Sequence, residues 1–205
     1  MWNQIVSLVF PRWCIGCERD DVLLCERCAR RAGEAQTIVL GGITMRAALP
    51  YDGFLRAAVV EFKQGRRGFA GDLAVLVAPL LEPGITLVPV PTTRRRIAQR
   101  GFDQTVMLAR ALERRCGIEI ADILRRPGNA AQHGLSRSER LAASGRFAAS
   151  PRTRAFAGRL VLFDDVRTTG ATLLDAARAL REGGYDVRDA VTLAWTPSTS
   201  LVHAN

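Results

Sequence analysis

The run Leu160-Val161-Leu162-Phe163-Asp164-Asp165-Val166-Arg167-Thr168-Thr169-Gly170-Ala171-Thr172 sets two adjacent carboxylates, three hydroxyls and a glycine within thirteen residues. Its apolar start reads as a buried strand that ends in the two acids and passes through a small-residue turn into a helix. In open α/β sheets ligands sit beyond the carboxyl ends of the strands, where Asp164 and Asp165 fall. Adjacent acids in a partly dry site repel each other unless something satisfies them. A pair of vicinal ribose hydroxyls with a magnesium ion close by would do so, because carboxylates accept from hydroxyls and magnesium prefers oxygen ligands. Beyond the acids, the N–H groups from Arg167 to Thr172, Val166 preceding them, open a helix and carry the positive end of its dipole. A phosphate dianion fits there, helped by the hydroxyls of Thr168, Thr169 and Thr172, while Gly170 lets the backbone approach closely. Together these groups amount to a ribose-5-phosphate site. A plain strand–helix unit would need one capping Asp or Thr, not the whole order.

Four cysteines form a second constellation. Cys14-x-x-Cys17 and Cys25-x-x-Cys28 place four thiols in fifteen residues with seven residues between the pairs. Four thiolates make a closed tetrahedral zinc site of structural type, here a small knuckle. An iron–sulfur cluster or two redox dithiols are the alternatives; zinc is preferred because nothing in the chain signals a redox partner. Cys116 reads as an ordinary buried cysteine near a helix end.

The elements that must position these groups alternate between strand and helix. Trp2, Ile5, Val6, Val9 and Phe10 share a helical face before Pro11; the face packs on the main domain or, alternatively, lies on a membrane surface or a partner. Gly33 and then Glu34 to Thr37 read as a linker, which divides 1–36, the helix and knuckle, from 37–205. Ile43, Met45, Ala47 and Leu49 alternate as a half-buried strand, and Leu55–Phe62 and Leu73–Leu81 read as helices, the second closed by Pro83-Gly84. Ile85–Val90 is a β-branched run ended by Pro91. Asp103 caps the next helix, Phe102 and Met107 are spaced as a hydrophobic staple, and Gly117 closes it. Ile118–Leu124 reads as a strand, 125–155 as loop, Ala171–Arg181 as a helix ended by Gly183-Gly184, Val187–Trp195 as the last strand, and Thr196–Asn205 as a frayed tail. Strands alternating with helices mean an α/β fold with a mostly parallel sheet.

The 205 residues suffice for one α/β domain and a small appendage. With 29 Lys+Arg against 20 Asp+Glu the net charge is +9, almost all of the positive part arginine. Arginine's planar fork suits phosphate, so phosphorylated small molecules or nucleic acid are natural partners; the alternative is a general preference for arginine as the basic residue. Arg125, Arg126, Arg137 and Arg140 could close over a substrate or contact single-stranded nucleic acid, with Phe147 and Phe156 as aromatics for stacking. His133 is a candidate acid or base. No run reaches the ~18 apolar residues of a membrane span, and the start has no basic region or cleavage site of a secretory signal. The expected setting is a reducing cytosol, where clustered cysteines point to metal or catalysis.

The Asp164–Thr172 segment resembles the phosphoribosyl pyrophosphate (PRPP) signature of type I phosphoribosyltransferases. Together with the cysteine knuckle, Leu87-Val88-Pro89-Val90-Pro91, Arg100-Gly101-Phe102-Asp103-Gln104 and Gln132-His133-Gly134-Leu135-Ser136-Arg137-Ser138-Glu139-Arg140, it resembles the competence-protein ComF family, which includes the GntX-type proteins. Two positions depart from the family's usual pattern: Asp103 and Ala142, at each of which Asn is usual. The resemblance covers about Phe10 to Trp195. It implies a type I phosphoribosyltransferase fold behind the knuckle, PRPP and magnesium in the Asp164–Thr172 site, and pyrophosphate facing Thr92, Thr93, Arg94, Arg95 and Arg96. It further implies transfer of the phosphoribosyl group to an acceptor that the chain does not identify, with Asp164 and Asp165 holding the ribose, and a role with other DNA-uptake proteins in natural transformation.

Overall fold

The structure is a computed structural model that describes Cys14, residues 17–19, Cys25, residues 27–28, 34–127, 146–151 and 155–197. The apolar face within residues 1–10, the Gln132–Arg140 block with His133, Arg137 and Arg140, Ala142, and the tail beyond residue 197 lie outside the described residues.

The main sheet has six strands in the order β1-β2-β8-β7-β3-β4. β1 (Gln36–Leu40) and β2 (Ile43–Pro50) form an antiparallel hairpin through Gly41-Gly42, both at positive φ, 56° and 70°, as a tight two-residue turn demands. From β2 onward each neighbour is parallel: β8 (Val187–Trp195), β7 (Arg159–Arg167), β3 (Ile85–Pro89) and β4 (Glu119–Ile120). A separate antiparallel ribbon joins β5 (Leu124–Arg125) to β6 (Ala148–Ala149). Helices α1 (Gly53–Lys63), α2 (Ala70–Val77), α3 (Arg94–Arg100), α4 (Gln104–Cys116) and α5 (Ala171–Glu182) complete the α/β fold expected from the sequence, with a strand–loop–helix unit at β7–α5.

Both faces of the sheet are covered, which is why its central strands read as unbroken apolar runs. Val161 and Phe163 of β7 join a core with Leu55 and Phe62 of α1, Leu73 of α2, and Leu108 and Leu112 of α4. The alternate residues Leu160 and Leu162 join the opposite core with Ile43 and Met45 of β2 and Leu173 and Leu180 of α5. Phe62 and Phe102 meet edge to face, centroids 5.4 Å apart at 62°, fastening the end of α1 to the entry of α4.

The Asp103 cap is as expected: Oδ1 accepts from the N–H groups of Thr105 and Val106. Gly117 closes α4 in the left-handed region, and β8 has the expected bounds. Four elements differ. Residues 36 and 37, read as linker, begin β1. The expected strand 118–124 splits: Ala121 N–H donates to Leu87 O at the sheet edge, then Leu124–Arg125 leaves to pair with Ala148–Ala149. Between Pro91 and the Asp103 cap, where the sequence pattern assigns no helix, the arginines form α3, begun by the Thr93 hydroxyl accepting from Arg96 N–H and ended by Gly101 at φ 76°. Lastly, β7 continues through both acids to Arg167, because β8 runs alongside it as far as Trp195. Cys116 is exposed at the end of α4, not buried.

Candidate functional site

A cleft of about 350 Å³ opens at the carboxyl ends of β3 and β7, bounded by the end of α1 and the start of α4. Asp164, Asp165, Val166, Thr168, Thr172 and Thr92 all line it, so a local sequence run and a distant loop meet as the sequence suggests.

The two acids are not equivalent. Asp165 Oδ1 accepts from Val166 N–H at 2.8 Å, while Oδ2 lies 2.6 Å from the Lys63 ammonium and 3.4 Å from the Gln104 amide nitrogen. Asp164 Oδ1 accepts from Asp165 N–H at 2.8 Å and faces the Thr105 hydroxyl at 3.5 Å. Burial, and then the charge of Asp165, push the Asp164 carboxyl well above the ordinary carboxylate range. Asp165 is also pushed up by burial, but the Lys63 ammonium and the hydrogen bonds outweigh this and leave it below its ordinary value.

The loop after β7 divides its expected roles. Thr168 is exposed at the cleft and Thr172 points into it from the first turn of α5. The Thr169 hydroxyl accepts from Ala171 N–H at 3.3 Å, a local turn just ahead of α5, whose N-cap is Gly170; neither Thr169 nor Ala171 lines the cleft. Gly170 is held at φ 81°, and a Cβ there would lie 3.1 Å from Met45 Sδ and 3.2 Å from Leu40 Cδ2. The close approach that requires glycine is therefore to the β1–β2 hairpin. Arg167 is a strand residue whose buried side chain hydrogen-bonds the Gln36 amide of β1.

The opposite side of the cleft is basic. Thr92 is buried and its N–H donates to Asp103 Oδ2 at 2.8 Å, tying the turn after β3 to the cap of α4. Arg94 is exposed and lines no part of the cleft, whereas Arg96 does. Arg126 is fixed by donation to Pro91 O at 2.7 Å and by stacking 4.4 Å from the Phe147 ring centroid. Burial and then the charge of Arg146 lower its affinity for the proton. Thr93, Arg95, Arg96, Gln99, Arg126, Arg146 and Thr172 line an adjoining chamber of about 540 Å³. Arg125 faces elsewhere, into an outer groove with Phe156 and Tyr185. The sequence reading missed Lys63, Thr105, Tyr51, Arg146 and Thr196; for Lys63 a signal was present, because it is the chain's one lysine.

The four cysteines gather as the spacing requires. The Sγ atoms of Cys14, Cys17, Cys25 and Cys28 all lie within 4.8 Å of one another, Cys17 and Cys25 at 3.6 Å. A tetrahedral ion with ~2.3 Å bonds to sulfur would set them about 3.8 Å apart, so the cluster could hold a metal ion. Burial, then the hydrogen bonds of its neighbours, push the Cys28 thiol up to about 12. A bound dication would reverse that by stabilising the thiolate.

No model of a known protein family matches the chain. Competence protein ComFC of Bacillus subtilis (strain 168) is 37% identical over 150 residues, covering 68% of this chain and 58% of that protein. The chain thus spans less than two thirds of that relative's length. The crystal structure of orotate phosphoribosyltransferase from Aeropyrum pernix is similar with a TM-score of 0.34 and 19% identity, over 81% of this chain and 78% of that one. A superposition that loose adds nothing to the topology described above. The identity with ComFC, the parallel α/β sheet and the four-cysteine cluster agree, and the chain belongs to the ComF family.

Proposed function

We propose that the chain is a PRPP-binding protein of phosphoribosyltransferase type that serves DNA handling in natural transformation, with a structural zinc knuckle formed by Cys14, Cys17, Cys25 and Cys28. One observation carries the ligand reading: carboxylates from β7, the Thr168 hydroxyl of the following loop and the Thr172 hydroxyl of the first turn of α5 converge on one cleft beside an arginine-lined chamber. Thr168, Thr172 and the N–H groups at the start of α5 would hold the 5-phosphate. Asp164 and Asp165 would face the ribose, and the chamber with Arg95, Arg96, Arg126 and Arg146 suits a diphosphate and its magnesium ion. If the chain transfers the phosphoribosyl group, the arginines stabilise the departing pyrophosphate while the acids hold the sugar. Residues 1–36 and 37–205 form the two units of this proposal, the boundary falling after Gln36, the first residue of β1, and a cytosolic setting fits it.

Calorimetry with PRPP and magnesium tests the reading, with Thr168→Ala/Thr172→Ala expected to weaken binding at least about tenfold, the worth of charge-assisted hydrogen bonds. Unchanged affinity in that variant overturns the phosphate assignment. Elemental analysis is expected to find about one zinc per chain, lost in Cys25→Ser/Cys28→Ser; iron, or no metal in freshly reduced protein, overturns the knuckle.

A second reading, single-stranded nucleic acid, is favoured by the outer groove of about 420 Å³ where Arg125 lies with Phe156 and Tyr185. Arg125→Glu should then weaken DNA binding in an anisotropy titration at low salt and leave PRPP binding unchanged. Saturating PRPP should not compete, because Arg125 lines an outer groove separate from the cleft.

A further inference from the structure

Lys63 is the one lysine of a chain whose 29 Lys+Arg are otherwise all arginine. Against so strong a bias toward arginine, this position is the exception. Lys63 closes α1, its side chain is 21% exposed, and it lines the cleft with its ammonium 2.6 Å from Asp165 Oδ2. An ammonium is a compact point charge on a flexible stem, whereas a guanidinium is a wide planar fork. Beside two adjacent carboxylates, the compact charge fits where the fork would crowd the sugar.

The surroundings fix the geometry further. Gln104 shares the same Asp165 oxygen at 3.4 Å, and its own amide oxygen is held by the Arg100 guanidinium. The other Asp165 oxygen takes Val166 N–H. Asp165 is thus engaged at both oxygens by its own protein. Among the described residues no ion pair holds Asp164, whose polar neighbours are Asp165 N–H and the Thr105 hydroxyl.

We propose that Lys63 is a positioning residue, the built-in counter-cation of the acid pair. It fixes Asp165 as a carboxylate and leaves Asp164 as the acid presented to the ribose hydroxyls, so that the sugar is gripped with no metal ion at the acids. The inference rests on the ribose-5-phosphate reading of the cleft and deepens it. A dication at Asp165 Oδ2 would meet the ammonium at contact distance, and like charges that close repel. Magnesium would then be carried by the oxygens of the diphosphate itself, whose negative charge offsets Arg96 and Arg126. The charged and polar groups facing the acids are Lys63 from α1, Gln104 and Thr105 from α4, Arg96 from α3 and Arg126 after β5.

Ribose 5-phosphate separates the two ends of the ligand, since it carries the sugar and the phosphate without the diphosphate. Calorimetry on the whole protein should give the same affinity for it in EDTA and in magnesium. Lys63→Met, which keeps the aliphatic stem, should weaken ribose 5-phosphate about tenfold or more while inorganic phosphate binds as before. Lys63→Arg should restore it only in part. A wild-type protein that needs magnesium for ribose 5-phosphate overturns the proposal, as does a Lys63→Met protein that binds it normally or loses both ligands equally. A ligand-free measurement keeps this apart from the ribose reading. Lysine-selective ¹⁵N labelling gives a single side-chain resonance, which Asp165→Asn should move much further than Asp164→Asn. A resonance that Asp165→Asn leaves in place overturns the pairing itself. If the resonance moves but no ribose 5-phosphate binds, the ribose reading falls, and the role of Lys63 with it.

Discussion

The two walls of the cleft are built in opposite ways. One is a continuous stretch, Asp164 to Thr172, in which strand, loop and helix follow one another in sequence. The other brings Lys63 from the end of α1, Thr92 from the turn after β3, Gln104 and Thr105 from the start of α4, and Arg126 from beyond β5. The first wall is set by local backbone chemistry: a helix start, a hydroxyl that closes a turn two residues ahead, a glycine at positive φ. The second exists only when the core holds four segments in register. It follows that damage to the core should dismantle the second wall first, and that its residues leave little trace in local sequence.

The largest effect should come from the joint that carries the assembled wall. Phe62, the residue before Lys63, is fully buried against Phe102, the residue before the Asp103 cap, and Arg67 lies over the Phe102 ring at 5.0 Å. Phe62→Ala should cost about 3–5 kcal/mol, the usual range for emptying an aromatic site in a core. Urea unfolding followed by circular dichroism measures it. A loss below about 1 kcal/mol would mean that α1 and α4 hold their places without this contact, and the contrast between the walls would fail.

Next is the acid pair, where the walls meet. The fold raises Asp164, so its contribution to stability is full below the ordinary carboxylate range and is lost as pH rises through the folded value. Asp165 is lowered, so its contribution holds above the ordinary range and is lost as pH falls. Asp164→Asn removes the first effect and keeps the shape. The variant should melt a few degrees higher than the wild type at neutral pH, equivalent to ~1–2 kcal/mol, and no higher at about pH 4, where a raised Asp164 is protonated. A scanning-calorimetry series across that interval decides it; a gap that widens toward acid would invert the assignment. The cleft would then resemble other functional sites that hold charge at the expense of stability.

Legibility follows the same division. The run of acids, threonines and glycine could be read because its chemistry repeats along the chain, and Asp103 because a cap acts on N–H groups two and three residues ahead. The thiols could be read because each Cys-x-x-Cys pair is local. Gly170 was identified for a sound reason, but its close neighbour proved to be Met45, a contact across more than a hundred residues that spacing cannot show. The first two residues of β1, Gln36 and Thr37, looked like linker because an edge strand needs only one covered face, and the strand's burial is indeed slight, with Val39 71% exposed. The helix Arg94–Arg100 was hidden by three consecutive arginines that show no apolar periodicity; its fully buried residues number none, so capping and tertiary position hold it. Lys63 could have been noticed as the single lysine, yet only the structure gives it a partner.

The smallest effects compare one kind of interaction on both walls. Asp103 accepts from Thr105 and Val106 N–H with one oxygen and from Thr92 N–H with the other, so a single carboxylate caps α4 and anchors the turn after β3. Thr169 accepts one N–H, from Ala171, at an exposed position and at 3.3 Å. Asp103→Ala should therefore cost about 1–2 kcal/mol, near the top of the range for lost caps, and Thr169→Ala about 0.5 kcal/mol, near the bottom. The functional consequences should be just as unequal. Without Asp103 the buried Thr92 N–H loses its acceptor and the arginine side of the cleft shifts, which should weaken PRPP more than ribose 5-phosphate. Without the Thr169 hydroxyl the N–H groups of the loop would remain available to the proposed phosphate, and both ligands should weaken about equally and by no more than about threefold, as ~0.5 kcal/mol allows. Asp103→Asn, which restores the residue usual in the family, tests the anchor most finely. Its amide oxygen can accept from Thr105 and Val106, but its amide nitrogen then faces Thr92 N–H, donor against donor. That variant should keep the stability of the cap while losing part of the preference for PRPP over ribose 5-phosphate, and an unchanged preference would show that Thr92 is held by something other than Asp103.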